Sequence, residues 1–298
     1  MTSRLDAVLA NATAGKRPDA VALMHVLIEA ADEAEARDAI GRALADREQD
    51  GDAAAAARLR ALLALWQAHP QAWAVVRAAI GGIAHDRRDA RPETTLRYWA
   101  EAFDRVAAAS PEASVALYSF GSADLLRAAT AEIVGRMQAW GLVGADRDAL
   151  DLGCGIGRFL LALASHIRHI TGLDISARMV AEAEARCAHL PNVRVARTAG
   201  GDLGLIAAGT IDLILAADVF PYLVQTGGGL AERHVVEFAR VLRPGGTGLI
   251  LNYSYRGDPE SDRRDVAALA MAAGLRVARN GTADFALWDG LSFLVEKP

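Results

Sequence analysis

The sequence predicts an α/β fold: a seven-stranded, mostly parallel sheet with an antiparallel last strand, preceded by an α-helical N-terminal domain. Three observations carry that prediction. Residues 149–159, Ala-Leu-Asp-Leu-Gly-Cys-Gly-Ile-Gly-Arg-Phe, run from an apolar strand through three alternate glycines into a helix with Phe159, Leu160, Leu163 and Ile167 on one face. Downstream, apolar runs of strand length alternate with helical patterns, the order that builds a parallel sheet with crossover helices. Upstream, residues 1–92 are alanine-rich and helically patterned. The chain therefore divides into a helical N-terminal domain (1–92), a helical connector or lid (93–148) and a sheet domain (149–298).

In chain order, Val21, Met24, Leu27 and Ile28 form one helical stripe, Leu59, Leu62, Leu63 and Trp66 a second, and Trp73, Val76, Ile80 and Ile83 a third. Pro70 suits the first turn of the third helix. Gln49-Asp50-Gly51-Asp52 and Gly81-Gly82 interrupt the pattern, and no second copy recurs at a fixed period. These helices read either as a bundle packed on itself or on the next domain, or as a module for dimerisation or substrate recruitment. A homodimer through them is one expectation. A boundary falls at Ala90-Arg91-Pro92. Leu96, Trp99, Phe103 and Val106 then define a helix closed by Ser110-Pro111, and Ser122 is a good N-cap for the helix carrying Leu126, Ala129, Ile133, Met137 and Trp140.

After the glycine turn, residues 170–175 read as the second strand, ending at Asp174, with Ser176 as N-cap for a helix bearing Met179, Val180 and Ala183. Residues 192–196 form the third strand. Residues 211–218 form the fourth, a continuous apolar run typical of a parallel strand buried on both faces. A helix ends at Val241-Leu242, a turn follows at Arg243-Pro244-Gly245-Gly246, and the fifth strand covers 248–253. Residues 266–273 read as a helix stopped by Gly274, residues 275–278 as strand six, and the alternating 291–295 as strand seven, returning antiparallel. Between the last two strands, Trp288-Asp289-Gly290 reads first as a hairpin turn, because Asp-Gly is above all a turn signal, and second as a functional loop.

Strand, glycine turn and helix together bring bare backbone and a helix N-terminus up to a nucleotide-like ligand. The dinucleotide fingerprint needs a glycine at its sixth place. Arg158 stands there, so a nicotinamide or flavin reading fails at that residue. Asp174 lies about 20 residues beyond the first glycine, where an acidic side chain accepts hydrogen bonds from ribose hydroxyls in either cofactor class. Several motifs then follow in order: Asp151 two residues before the first glycine, Gly200-Gly201-Asp202-Leu203 after the third strand, Asp218-Val219-Phe220-Pro221-Tyr222 after the fourth, and Leu-Arg-Pro-Gly-Gly before the fifth. With these, residues 118–298 resemble the class I S-adenosylmethionine-dependent methyltransferases, a Rossmann-like family.

The resemblance implies S-adenosyl-L-methionine as cofactor, leaving as S-adenosyl-L-homocysteine. Gly153, Cys154, Gly155 and Gly157, with Asp151, would receive its methionine end. Asp174 would hold the ribose, Ile175 would pack beside the adenine, and Asp202 would anchor the adenine amino group. Met179, Gly201, Leu203, Asp218 and Val219 complete the implied cofactor set. In similar methyltransferases a segment before the first strand lies over the cofactor. Tyr118 is thus a candidate lid residue, or else a tyrosine bridging two helical layers.

Methyl transfer needs the acceptor held in line with the carbon–sulfur bond and away from water. Tyr222, His234, Asn252, Tyr253, Tyr255 and Trp288 fall near the ends of strands four to six or on neighbouring elements. Of these, Tyr222, His234 and Tyr255 are the candidate catalytic residues, with His234 either a base for a hydroxyl acceptor or a packing residue. Tyr118, Phe220 and Tyr222 are candidate rings beside a sulfonium. The Asp218–Tyr222 stretch departs from the Asp/Asn-Pro-Pro-Tyr/Phe motif of amino-group methyltransferases at Phe220 and by an extra residue, so that acceptor class does not carry over.

Composition narrows the classes. A chain of 298 residues with 52% hydrophobic content can bury a sizeable core. A net charge of −5, with the short pairs Arg87-Arg88 and Arg263-Arg264 set among acidic neighbours, disfavours a nucleic-acid partner. No apolar run approaches the ~20 residues of a membrane span, and no basic segment followed by an apolar core opens the chain. Cys154 sits in the glycine turn, a poor place for a disulfide with Cys187, so a reduced, cytoplasmic protein is expected. No Cys/His spacing suggests a metal. The expected function is methylation of an O or N atom of a small-molecule acceptor. The alternatives are a protein- or carrier-bound acceptor recruited by the N-terminal helices, and a non-catalytic S-adenosylmethionine-binding module.

Overall fold

The computed structural model describes residues 3–81 and 91–298. Gly82, Ile83, Arg87-Arg88 and Ala90, singled out above, lie outside the described residues. The chain forms two compact units. Among the described residues, one comprises 3–81, 106–129 and 285–289, and the other 91–105, 130–284 and 290–298.

The first unit is helical: α1 (Arg4–Thr13), α2 (Asp19–Glu29), α3 (Glu33–Gln49), α4 (Ala53–Ala68) and α5 (Ala72–Gly81). It also takes in the end of α6 (Pro92–Ala109), α7 (Pro111–Val115) and the start of α8 (Ala123–Ala139). The predicted stripes supply its core, in which Val21, Leu27, Leu59, Leu62, Trp66 and Val76 are buried together with Leu23, Ile40 and Phe120. Two helices are not among the stripes named above. The Ser3 side chain and the Asp6 carboxylate cap the start of α1 reciprocally, and Asp32 caps α3. The buried face of α3 is Ala36, Ala39 and Ile40, and alanines leave little amphipathic signal. Arg37 lies over the Trp66 ring, 4.1 Å from its centroid.

The second unit is built on the sheet, with strands β1 (Asp148–Leu152), β2 (His169–Asp174), β3 (Val193–Arg197), β4 (Ile211–Ala217), β5 (Leu242–Leu251), β6 (Arg276–Ala283) and β7 (Leu291–Glu296). Their order is β3-β2-β1-β4-β5-β7-β6. Strands β1 to β5 are parallel, and β7 is antiparallel to both β5 and β6. Helices α9 (Arg158–Leu163), α10 (Ala177–Cys187), α11 (Phe220–Thr226), α12 (Leu230–Val241) and α13 (Pro259–Ala272) connect the strands. Strand order reverses between β1 and β4, and ligands of such sheets bind beyond the carboxyl ends of the strands at that point. Leu150, Leu152, Ile214, Phe220, Phe238 and Phe293 belong to the core beneath it.

Three predicted details change. The Leu-Arg-Pro-Gly-Gly stretch lies within β5 as an irregularity and not as a turn before it: Ile211 pairs with Leu242, but Leu213 pairs with Thr247. The bulge turns Arg243 so that its guanidinium bonds both Asp148 and Asp212. This clamps β1 to β4 at the end away from the switch point. Arg168 first, then Arg243 and His169, hold the Asp148 carboxyl well below the usual carboxylate range. Helix α13 begins at Pro259 rather than at Val266, because Asp258 caps it by accepting from Ser261 N at 3.1 Å. Finally, Asp289-Gly290 makes no hairpin turn. Residues 284–290 form a longer loop, in which 285–289 belong to the helical unit, the Phe285 and Trp288 rings sit 5.6 Å apart, and Arg17 pairs with Asp289 at 3.6 Å. Among the described residues, no helix is long and apolar enough to cross a membrane.

Candidate active site

The glycine turn follows β1 directly. Gly153 and Cys154 both donate to Leu173 O, at 2.7 and 3.0 Å, which fastens the turn to β2. Gly153 has φ +68°, and a Cβ there would overlap Val219 Cγ2. The turn thus requires glycine for both backbone and space. Gly157, at φ +81°, opens α9, with Ala183 of α10 3.2 Å from where its Cβ would stand. Cys154 is buried. Burial and the Asp151 and Asp174 charges push its thiol well up, so it stays protonated and acts as packing.

Asp151, the fourth residue of β1, is 1% exposed, and its Oδ2 has no hydrogen-bond partner. Burial pushes its carboxyl up to about 8, opposed by the Arg158 charge and reinforced by Asp174. Asp174 ends β2. Its Oδ2 accepts from Gly155 N at 2.9 Å and its Oδ1 from Ser176 N at 2.8 Å, while burial raises its carboxyl. The same carboxylate therefore shapes the glycine turn and starts α10, and of its roughly four lone-pair sites not all are taken by these backbone donors. Ser176 caps α10 through Met179 N at 3.0 Å, as its sequence predicts.

Helix α6 contributes residues whose role the sequence did not disclose. Asp104 accepts from Ser176 Oγ and from Arg178 N, fixing α6 to the start of α10. A Cβ on Gly200 would lie 2.7 Å from Ile175 Cγ2 and 3.3 Å from Leu96 Cδ2, so Leu96 joins Ile175 at the loop after β3. In that loop Asp202 is exposed and its Oδ1 accepts from Gly204 N at 2.9 Å. Leu203 is buried, with its N–H on Glu237 Oε2 at 3.1 Å. Trp99 and Phe103 of α6 meet the Tyr222 ring edge-on, with centroids 4.9 and 5.1 Å away. Periodicity marks these as a buried face but does not say what buries it.

At the ends of β4 and β5, Asp218 and Asn252 both have left-handed backbone, at φ +57° and +62°. Asp and Asn take this conformation more readily than other non-glycine residues, and left-handed positions of this kind cluster at functional sites. Here Asn252 is held by β7, accepting from Leu291 N at 3.1 Å and donating its own N–H to Leu291 O at 2.9 Å. Its Nδ2 donates to Asp218 Oδ1 at 2.8 Å, and the Tyr255 hydroxyl donates to the same oxygen at 2.9 Å. The Tyr255 and Tyr222 rings are perpendicular, 5.9 Å apart. Desolvation first and the Asp218 charge second push the Tyr222 phenol up, so it stays protonated, whereas the Tyr255 side chain is exposed.

The remaining candidates lie elsewhere. His234 is 1% exposed on α12, with its Nδ1 donating to Leu230 O at 2.9 Å. Burial lowers its pKa and keeps it neutral. Phe220 and Tyr253 belong to the core, with rings 5.9 Å apart. Tyr118 is buried in the helical unit. Among the described residues no group of three or more His, Cys, Asp or Glu is placed to hold a metal.

A glycine turn set at the switch point of this sheet order defines the class: the fold is that of the Rossmann-like S-adenosylmethionine-dependent methyltransferases. Residues 149–246 match the family model of the methyltransferase domain, and this segment is such a domain. The S-adenosyl-L-methionine-dependent Diels-Alderase iccD of Talaromyces variabilis is 27% identical over 134 residues, 44% of each chain. Ribosomal RNA small subunit methyltransferase C of Alcanivorax borkumensis is 30% identical over 104 residues, 35% of this chain and 31% of that one. The match thus spans less than half the length of both relatives. Phosphoethanolamine N-methyltransferase 1 of Haemonchus contortus, solved with phosphoethanolamine and S-adenosylhomocysteine, aligns with a TM-score of 0.53 at 16% identity, covering 69% of this chain and 48% of that one. That likeness is one of fold.

Proposed function

We propose that the protein transfers the methyl group of S-adenosylmethionine to an O or N atom of a small-molecule acceptor. The observation that carries this reading is Asp151 Oδ2, a buried carboxylate oxygen with no protein partner at the base of a turn that only glycine can make. A buried polar atom of this kind is costly unless a ligand completes it, and the cofactor's α-ammonium is its chemical complement. Asp174 has lone pairs for the ribose hydroxyls, Leu96 and Ile175 give the adenine an apolar seat, and Asp202 is placed in the loop beside them. The bound cofactor supplies a methyl already activated by its sulfonium.

The chain's own residues then orient, dry and deprotonate the acceptor. Trp99, Phe103 and Tyr222 form an aromatic wall that excludes water. The sequence motif groups Asp218 with the cofactor. Its bonds to Asn252 and Tyr255 lead us to place it on the acceptor side, where its carboxylate takes the acceptor's proton. His234, neutral and bonded to its own helix, serves packing in this reading.

Titrating S-adenosylmethionine calorimetrically into wild type and Asp174→Ala tests the first half. We expect at least about tenfold weaker binding in the variant, since hydrogen bonds to a charged group are worth ~1.5–3 kcal/mol. A folded, ligand-stripped wild type that does not bind would sink the proposal. An acceptor screen that follows S-adenosylhomocysteine by mass spectrometry tests the second half. The likeness to a protein named as a Diels-Alderase favours a second reading, in which cofactor binds but no methyl leaves. Binding without any S-adenosylhomocysteine would select it.

The Asp151 carboxyl also sets a pH dependence. It lies near 8 in the folded protein against 3.8 unfolded, so the native state holds the extra proton between about pH 4 and 8. Its contribution to the stability of the free protein is therefore present at low pH and declines as pH rises through that window. An ammonium beside it favours the carboxylate, so cofactor binding at pH 6.5 releases a proton. Binding heats in phosphate and Tris should differ by the buffers' ionisation enthalpies, and the difference should vanish in Asp151→Asn. Equal heats in wild type would contradict this.

A further inference from the structure

Arg158, the residue at which the dinucleotide pattern fails, is itself buried. It is 9% exposed, and its Nη1 has no hydrogen-bond partner. The guanidinium lies over the Phe159 ring, 4.4 Å from the centroid. The N–H edge of that planar group is what bonds a carboxylate in plane. Its charge acts on Asp151, whose Oδ2 is likewise without a partner. The first residue after the glycine turn is thus a buried cation and the residue two before that turn a buried carboxyl, each with an unbonded polar atom. Buried polar atoms left unbonded are costly unless a ligand bonds to both.

We propose that Arg158 holds the α-carboxylate of the methionine end of S-adenosylmethionine while Asp151 holds its α-ammonium, so that the two residues together read the ligand's zwitterion. This rests on the cofactor-dependent function above and adds to it a recognition residue that the glycine turn does not require. The sixth place of the motif thereby gains a positive role, since the side chain that rules out a dinucleotide selects an amino-acid terminus.

The test compares S-adenosylmethionine with its decarboxylated analogue, which keeps the amine, sulfonium and adenosine and lacks only the carboxylate. Affinities for both are measured by calorimetry on the full chain, wild type and Arg158→Gln. We expect wild type to bind S-adenosylmethionine at least about tenfold more tightly than the analogue, the range of a charge-assisted bidentate contact, and this ratio to fall to within about twofold in Arg158→Gln. Equal affinities in wild type overturn the proposal whatever the variant does. A ratio kept in folded Arg158→Gln also overturns it, because backbone N–H groups would then hold the carboxylate. Should Arg158→Gln fail to fold, Arg158→Lys keeps the charge and loses the fork, and its ratio must fall between one and the wild-type value; a ratio equal to wild type counts against the assignment. Failure of wild type to bind either compound strikes the proposed function instead, which separates the two.

Discussion

Gly153→Ala removes S-adenosylmethionine binding and lowers the melting temperature. Left-handed backbone costs an alanine ~1–2 kcal/mol, and overpacking a tight site costs a further ~1–3 kcal/mol. The added methyl would overlap Val219, which stands between the glycine turn and the Asp218 end of β4. Either Val219 moves or the turn opens, and both deform the cradle. At roughly 2–4 °C per kcal/mol for a domain of this size, the melting temperature should drop by ~5–15 °C, and affinity should fall at least ~100-fold by calorimetry. A variant that melts with wild type and binds within threefold of it would mean that the turn is scaffold and the ligand sits elsewhere.

Asp218→Asn separates chemistry from cofactor binding. The amide keeps the size of the side chain and an acceptor oxygen for Asn252 and Tyr255, but it cannot take a proton. General-base contributions are typically 10²–10⁴-fold, so kcat on the acceptor found by the screen should fall within that range while S-adenosylmethionine affinity stays within about threefold. An unchanged kcat would show that the acceptor needs no base. A loss confined to cofactor affinity would return Asp218 to the cofactor side. Tyr255→Phe provides the companion measurement: it removes one hydrogen bond to Asp218 and should change kcat far less than Asp218→Asn does.

The signals that sequence carries well are local ones. The turn at Gly153–Gly157, the Ser176 cap and the buried parallel strands were legible because each depends on residue types a few positions apart, and the structure places each where its pattern put it. The Asp289-Gly290 hairpin and the turn before β5 were misread for the opposite reason. A two-residue turn signal says nothing of the Arg17 partner that takes Asp289, and Pro-Gly-Gly does not reveal that Arg243 is drawn to Asp148 and Asp212, residues 95 and 31 positions earlier.

The sequence by itself determined the class of fold and the glycine turn, and implied the kind of ligand, since glycine spacing, apolar periodicity and a carboxylate at each of two strand ends are properties of short stretches. Tertiary structure alone decided the cluster that we propose serves the acceptor. Asp218, Asn252 and Tyr255 meet across separations of 34 and 37 residues, which no local pattern encodes. Likewise the stripe on α6 announced a buried face, but only packing set Trp99 and Phe103 against Tyr222, tied Asp104 to Ser176 and left Arg158 buried. Periodicity encodes that a side chain is hidden from water. What it is hidden against is settled by which distant segments can pack there without leaving a charge or a polar group unsatisfied.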